Sequence, residues 1–206
     1  MPANALSEGW FAIAKSTMPT AAHDGRTHDR DRQRRFEAVV LPHLDVAYGL
    51  ARWLTRSDQH AEDVVQTACL RAFQFFDSFQ GASARAWLLA IVRNTSYSWI
   101  EKHRAEELST PFEEEVHTPA AGGVATPEPE AELLRRADRE MLRAGFAALP
   151  VPWREVMVLR ELEGLSYKEI AAIGGIPIGT VMSRLARARR QLQSYLTRNG
   201  ARGTPS

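Results

Sequence analysis

The residues of this 206-residue chain best suited to acting on another molecule lie near its C-terminal end. Ser166-Tyr167-Lys168-Glu169 is a capping-box sequence, in which the serine hydroxyl and the glutamate carboxylate satisfy each other's backbone N–H groups at a helix start. It predicts a short helix ending near Ile173. Gly174, Gly175 and Pro177 then break the chain, and Gly179-Thr180 opens a second helix running through about Tyr195. In that helix Val181, Leu185, Ala188 and Leu192 recur at i, i+4, i+7 and i+11 and form one apolar face. At about 100° per residue, Ser183, Arg187 and Arg190 point the other way, flanked by Thr180, Arg184 and Gln191. Guanidinium groups grip guanine bidentately or neutralise phosphate, and hydroxyls bond either base or backbone. The chemistry of this segment is therefore non-covalent recognition of a polyanion by a helix-turn-helix.

Charge along the chain agrees. The formal net charge is only +1, but from Ile170 to Ser206 six arginines stand without one acidic residue. Residues 105–131 hold seven glutamates and no lysine or arginine. Such asymmetry points to an anionic partner at the basic end. Catalysis finds no support: there is no GxGxxG, P-loop, HExxH or GxSxG motif, and the histidines at 23, 28, 43, 60, 103 and 117 are scattered. No catalytic residue, metal site or cofactor is expected. The single Cys69 excludes an internal disulfide and fits a reducing compartment. No apolar run approaches the roughly 18 residues of a membrane span, and the N-terminus lacks the pattern of a signal peptide, so a cytoplasmic protein without stable membrane insertion is expected.

The elements that must position the basic helix follow from periodicity. Residues 1–34 mix Ser, Thr, His, Asp and Arg without an apolar period and read as a disordered arm. From 35 to 104 the pattern is helical, most clearly at Ala61, Val64, Val65, Ala68, Cys69, Ala72, Phe73 and Phe76. Ser57 and Asp58 precede this stripe as N-cap candidates, and a further helix covers about Arg85 to His103. Residues 105–131, with four prolines and Gly122-Gly123 among the glutamates, read as a linker. A second helical domain covers 132–198, beginning with a helix stopped by Pro150 and Pro152, and 199–206 form a tail. The class is all-α, with two small domains on a flexible acidic linker.

Three segments together resemble the extracytoplasmic-function (ECF) group of the sigma-70 family, the small promoter-recognition subunits of bacterial RNA polymerase. They are Ala61-Glu62-Asp63-Val64-Val65-Gln66; Trp87-Leu88 with Ile91 and Arg93-Asn94; and Arg160 to Ala171 followed by Gly179-Thr180-Val181 and Ser183 to Arg189. The resemblance implies that the first domain (region 2) binds the clamp helices of the polymerase largest subunit and melts the minus-10 element. The second (region 4) binds the flap and reads the minus-35 element. It also implies a polymerase-docking face at Asp63, Gln66 and Leu70, which fall at i, i+3 and i+7 away from the apolar stripe. Melting must trap unstacked bases on apolar or aromatic platforms with cations nearby, which Arg93, Asn94, Tyr97, Trp99 and Arg104 offer. Minus-35 contacts fall to Arg160, Thr180, Ser183, Arg184, Arg187 and Arg190. Departures from the family pattern stand at His60, Ala90, Ser98, Trp99 and Met182, the last where a basic residue is common. A cytoplasmic anti-sigma factor packing between the domains is the expected regulator. The competing reading is an ordinary helix-turn-helix regulator that binds an operator as a dimer.

Overall fold

The computed structural model describes residues 26–80, 83–107 and 129–200, with side chains from 29 to 103 and from 136 to 199 within those segments. Among them every regular element is helical. The first helix, α1 (Arg26–Val40), begins inside the stretch read as disordered, and that expectation is corrected over residues 26–34. Its anchorage is non-local. Arg32 donates to the Phe73 carbonyl at 2.7 Å and to Asp77 at 2.9 Å, and its guanidinium lies over the Phe73 ring. One turn on, Phe36 sets its ring edge-on between Phe73 and Phe76, at 5.2 and 5.4 Å between centroids.

Helix α2 (Leu44–Thr55) buries Ala47, Leu50, Ala51 and Leu54, the i, i+3, i+4, i+7 stripe of a core-facing helix. It ends at Arg56, which takes a left-handed conformation with φ 63°. Helix α3 (Asp58–Gln74) starts two residues later, with the Ser57 hydroxyl accepting from the His60 N–H, so the N-cap is Ser57 and not Asp58. The expected stripe is buried at Ala61, Val64, Val65, Ala68 and Ala72. Burial also pushes the Cys69 thiol up to about 11, which leaves it protonated at neutral pH. Helix α4 (Ala84–Glu107) closes the bundle with Leu88, Leu89 and Val92. Its buried Thr95 and Ser96 hydroxyls donate to carbonyls one turn back, at Ile91 and Val92. Trp87 packs against Phe76 and Phe79, which fits its i, i+4 pairing with Ile91.

The second group begins with α5 (Pro129–Ala147). Pro152, at the start of α6 (Val151–Met157), sits where its missing N–H costs nothing. Helix α6 runs on as one wide π-type turn over Val158–Leu162. The capping box then opens α7 (Tyr167–Gly174), with both reciprocal bonds made. Those bonds to Ser166 hold the Glu169 carboxyl below its ordinary pKa. Gly175, at φ 61°, turns the chain in the left-handed region that side chains avoid, and α8 (Ile178–Gly200) follows. Helix α8 buries Val181, Leu185, Ala188 and Leu192, the face read from the sequence.

Helices α5 and α8 meet at Gly145, where a Cβ would lie 2.6 Å from Leu192 Cδ1 and 3.1 Å from the Tyr195 ring. Gly145→Ala is therefore expected to fall short of the roughly 1 kcal/mol that alanine's helix propensity offers, because the Leu192 side chain and the Tyr195 ring must move aside. Urea unfolding monitored on α8 measures it.

Candidate nucleic-acid and polymerase interface

The two helical groups pack on each other. Glu155 of α6 has no exposed side-chain surface and accepts from two residues of α4: Arg93 Nε at 2.6 Å and the Tyr97 hydroxyl at 2.5 Å. Arg93 also lies over the Tyr97 ring, 4.5 Å to its centroid, and gives a second nitrogen to Asn94 Oδ1 at 3.0 Å. Burial, then the charge and hydrogen bond of Glu155, raise the Tyr97 phenol well above its ordinary pKa, while Arg93 and Arg184 oppose the shift. Arg184 of the basic helix is thus within electrostatic reach of α4. Further contacts cross between the groups: Arg85 holds the Glu163 carbonyl and carboxylate, each at 2.8 Å, Arg154 donates to the Trp53 carbonyl at 2.8 Å, and the Trp53 ring packs on that of Phe146. The other Arg154 bonds reach Ala147 and Leu149 within its own domain, and burial lowers its pKa to about 10, still protonated at neutral pH.

Of the residues assigned to the minus-10 element, Arg93 and Tyr97 therefore come together on a carboxylate of the other domain, with the exposed Asn94 bonded to Arg93. Trp99 lies apart from them between two histidines, its ring stacked on His103 at 3.8 Å and tilted against His60 at 4.3 Å. The side chain of Arg104 is outside the described residues, as are Gly81 and Ala82 in the loop before α4. On α3, Asp63 is exposed, Gln66 half-exposed and Leu70 41% exposed, all away from the buried stripe.

On α8, Ser183, Arg187 and Arg190 are exposed, and Thr180 and Arg184 are half-buried. Ser183 donates to the Thr180 carbonyl and Arg190 to that of Ala186, both within the helix. Arg187 makes no salt bridge among the described residues, whereas the neighbouring Arg189 is held by Glu161 at 2.6 Å. Arg187 and Arg190 also line one open groove with Trp153, Ser194 and Arg198. Arg160 is placed otherwise: it donates to the Leu165 carbonyl at 2.9 Å and covers the Tyr167 ring, bracing the turn before α7.

Sequence reasoning missed Glu155, Glu163, Arg85 and Arg154. The local signal was the pair Arg154-Glu155 within the otherwise apolar stretch Val151 to Leu159, where a charge at a core position requires a partner. Among the described residues no group of three or more His, Cys, Asp or Glu side chains could hold a metal ion, and no helix is long and apolar enough to cross a membrane.

A capped short helix, a left-handed glycine turn and a second helix with exposed arginines on its outer face define a helix-turn-helix DNA-binding domain, here packed on a second helical domain. Residues 39–106 match the model of sigma-70 region 2, and residues 139–192 that of sigma-70 region 4. The ECF RNA polymerase sigma-E factor of Escherichia coli is 34% identical over 167 residues, 79% of this chain and 86% of that one. The ECF sigma factor SigE of Mycolicibacterium smegmatis is 29% identical over 194 residues, 93% of this chain and 73% of that one. Among solved structures, the sigma factor RpoE of Bartonella quintana, in complex with the anti-sigma factor NepR, superposes with a TM-score of 0.64 at 31% identity, over 80% of this chain and 98% of that chain. CnrH, in complex with the cytosolic domain of CnrY, gives a TM-score of 0.54 at 28% identity, over 80% and 89%. The chain belongs to the ECF group of the sigma-70 family: it is an alternative sigma factor that joins core RNA polymerase and directs promoter-specific initiation, in a family of initiation factors and not of enzymes.

Proposed function

We propose that the exposed face of α3, with Asp63, Gln66 and Leu70, seats the clamp helices of core polymerase, while region 4 takes the flap. Arg93, Asn94, Tyr97, Trp99 and Arg104 then serve the melted minus-10 element, and Arg160, Thr180, Ser183, Arg184, Arg187 and Arg190 the minus-35 element, Arg160 also bracing the turn before α7. The first domain takes in α1 to α4, from Arg26 to Glu107, and the second α5 to α8, from Pro129 to Gly200. The protein has no enzymatic activity of its own, works in the cytoplasm, and is held inactive by an anti-sigma factor, as two relatives of known structure are bound by theirs.

The observation that carries the reading is the outer face of α8, where Arg187 and Arg190 are exposed on a segment without any acidic residue. A single recognition helix of this size makes a small, salt-sensitive contact, so promoter binding depends on polymerase. Run-off transcription with purified core enzyme tests it. Promoter-specific transcripts that appear only with the protein support the reading; tight footprinting of a palindrome by the protein alone, as a dimer, would favour the operator-binding regulator. Asp63→Ala with Gln66→Ala is expected to weaken capture of core enzyme by about 1–2 kcal/mol per side chain, on the scale of interface anchors. Circular dichroism should stay unchanged, because neither side chain lies in the core.

A further inference from the structure

Two of the large apolar side chains on α8 are not on its buried face. Ile178 is 41% exposed and Met182 54% exposed. With exposed Ala186 they recur at i, i+4 and i+8, forming an apolar ridge beside Ser183, Arg187 and Arg190. The ridge occupies the first two turns of the second helix of the helix-turn-helix, the part of such a helix that reaches base edges. It is flanked by arginines on a segment with no acidic residue, so the partner covering it is a polyanion. On the base edges of a major groove the apolar group is the C5-methyl of thymine.

We propose that Met182, with Ile178 beside it, reads a thymine methyl in the minus-35 element and supplies an apolar specificity contact in place of the guanine or phosphate contact a basic residue would make. This rests on the assignment of α8 to minus-35 DNA. The arginines position the helix and grip phosphates or guanine; the ridge adds discrimination without a hydrogen bond. Burying one methyl group against a thioether contributes about three- to tenfold in binding.

The test uses holoenzyme assembled from the full chain and core polymerase, on promoter fragments obtained by selection from random minus-35 sequences. Each thymine on either strand of the element is replaced in turn by deoxyuridine, which removes the C5-methyl alone. At one position wild-type affinity should fall about three- to tenfold. Met182→Ala should lose as much on thymine DNA and become indifferent to deoxyuridine there, while Met182→Leu keeps the sensitivity. A selected element made only of G·C pairs, wild-type indifference at every thymine, or undiminished deoxyuridine sensitivity in Met182→Ala would each overturn the proposal. Arg187→Ala identifies failure at the deeper level. If neither Arg187→Ala nor scrambling the minus-35 element alters binding, α8 does not read this element and the methyl contact falls with it.

Discussion

Glu155→Ala is expected to loosen the packing of region 4 on region 2 by about 3–5 kcal/mol, the range for breaking a buried ion pair from one side. The carboxylate has no exposed surface, and it is the common acceptor for Arg93 and Tyr97. Its loss leaves a guanidinium that is only 17% exposed facing a void, and the phenol without an acceptor. Much of the cost is relieved if the domains part and both groups reach water. Amide exchange along α4 around Arg93 and Tyr97 should therefore rise before any exchange in the interiors of the two domains. The functional consequence has a definite sign. Arg93, Asn94 and Tyr97 are proposed to serve the minus-10 element, and in the packed state Arg93 and Tyr97 are committed to Glu155. Opening frees them, so transcription at limiting core enzyme should increase. Glu155→Gln keeps the shape and one acceptor oxygen and should give a smaller effect in the same direction. A double-mutant cycle with Arg93→Met separates the pair from changes in the α6 core, a coupling of about 0.5–3 kcal/mol being expected for groups in one network. Additive effects would show that Glu155 matters only within its own domain.

That pair also marks where sequence reading stops. The stripe of α3, the Ser166–Glu169 cap, the turn at Gly175 and the buried face of α8 are local patterns, set by side chains within a turn or two of each other, and each was legible. Glu155 finds its partners 58 and 62 residues upstream, beyond any periodicity. Helix α1 failed to show for the same reason. Its mean pattern is strongly polar, and what holds its first half is Arg32 reaching residues 41 and 45 positions away. The histidines tell a similar story: His60 and His103 looked scattered, yet α3 and α4 bring both onto Trp99. Arg160 has a place in the fold that no local pattern shows, its guanidinium lying on the Leu165 carbonyl and over the Tyr167 ring at the turn before the helix-turn-helix.

Leu185→Ala and Arg187→Ala, two residues apart on α8, are expected to separate folding from recognition. Leu185 is 1% exposed and lies with Val181, Ala188 and Leu192 on the face that holds α8 to the rest of region 4. Truncating it removes buried methyl groups and leaves a cavity, at a cost of about 2–5 kcal/mol. A domain this small holds little reserve beyond that, so its unfolding midpoint in urea should fall sharply and minus-35-dependent transcription should fail with it. Arg187 is exposed and outside the core, so Arg187→Ala should leave stability within about 0.5 kcal/mol. Its effect belongs to promoter choice. If its guanidinium grips a guanine edge, discrimination at one position of the minus-35 element falls by about 1–3 kcal/mol. If it grips phosphate, all sequences weaken alike and the salt dependence drops by about one counterion. Unchanged stability in Leu185→Ala would mean that the apolar face does not anchor the helix. Unchanged promoter preference and salt slope in Arg187→Ala would place that side chain outside the interface, leaving recognition to the other residues proposed on this face.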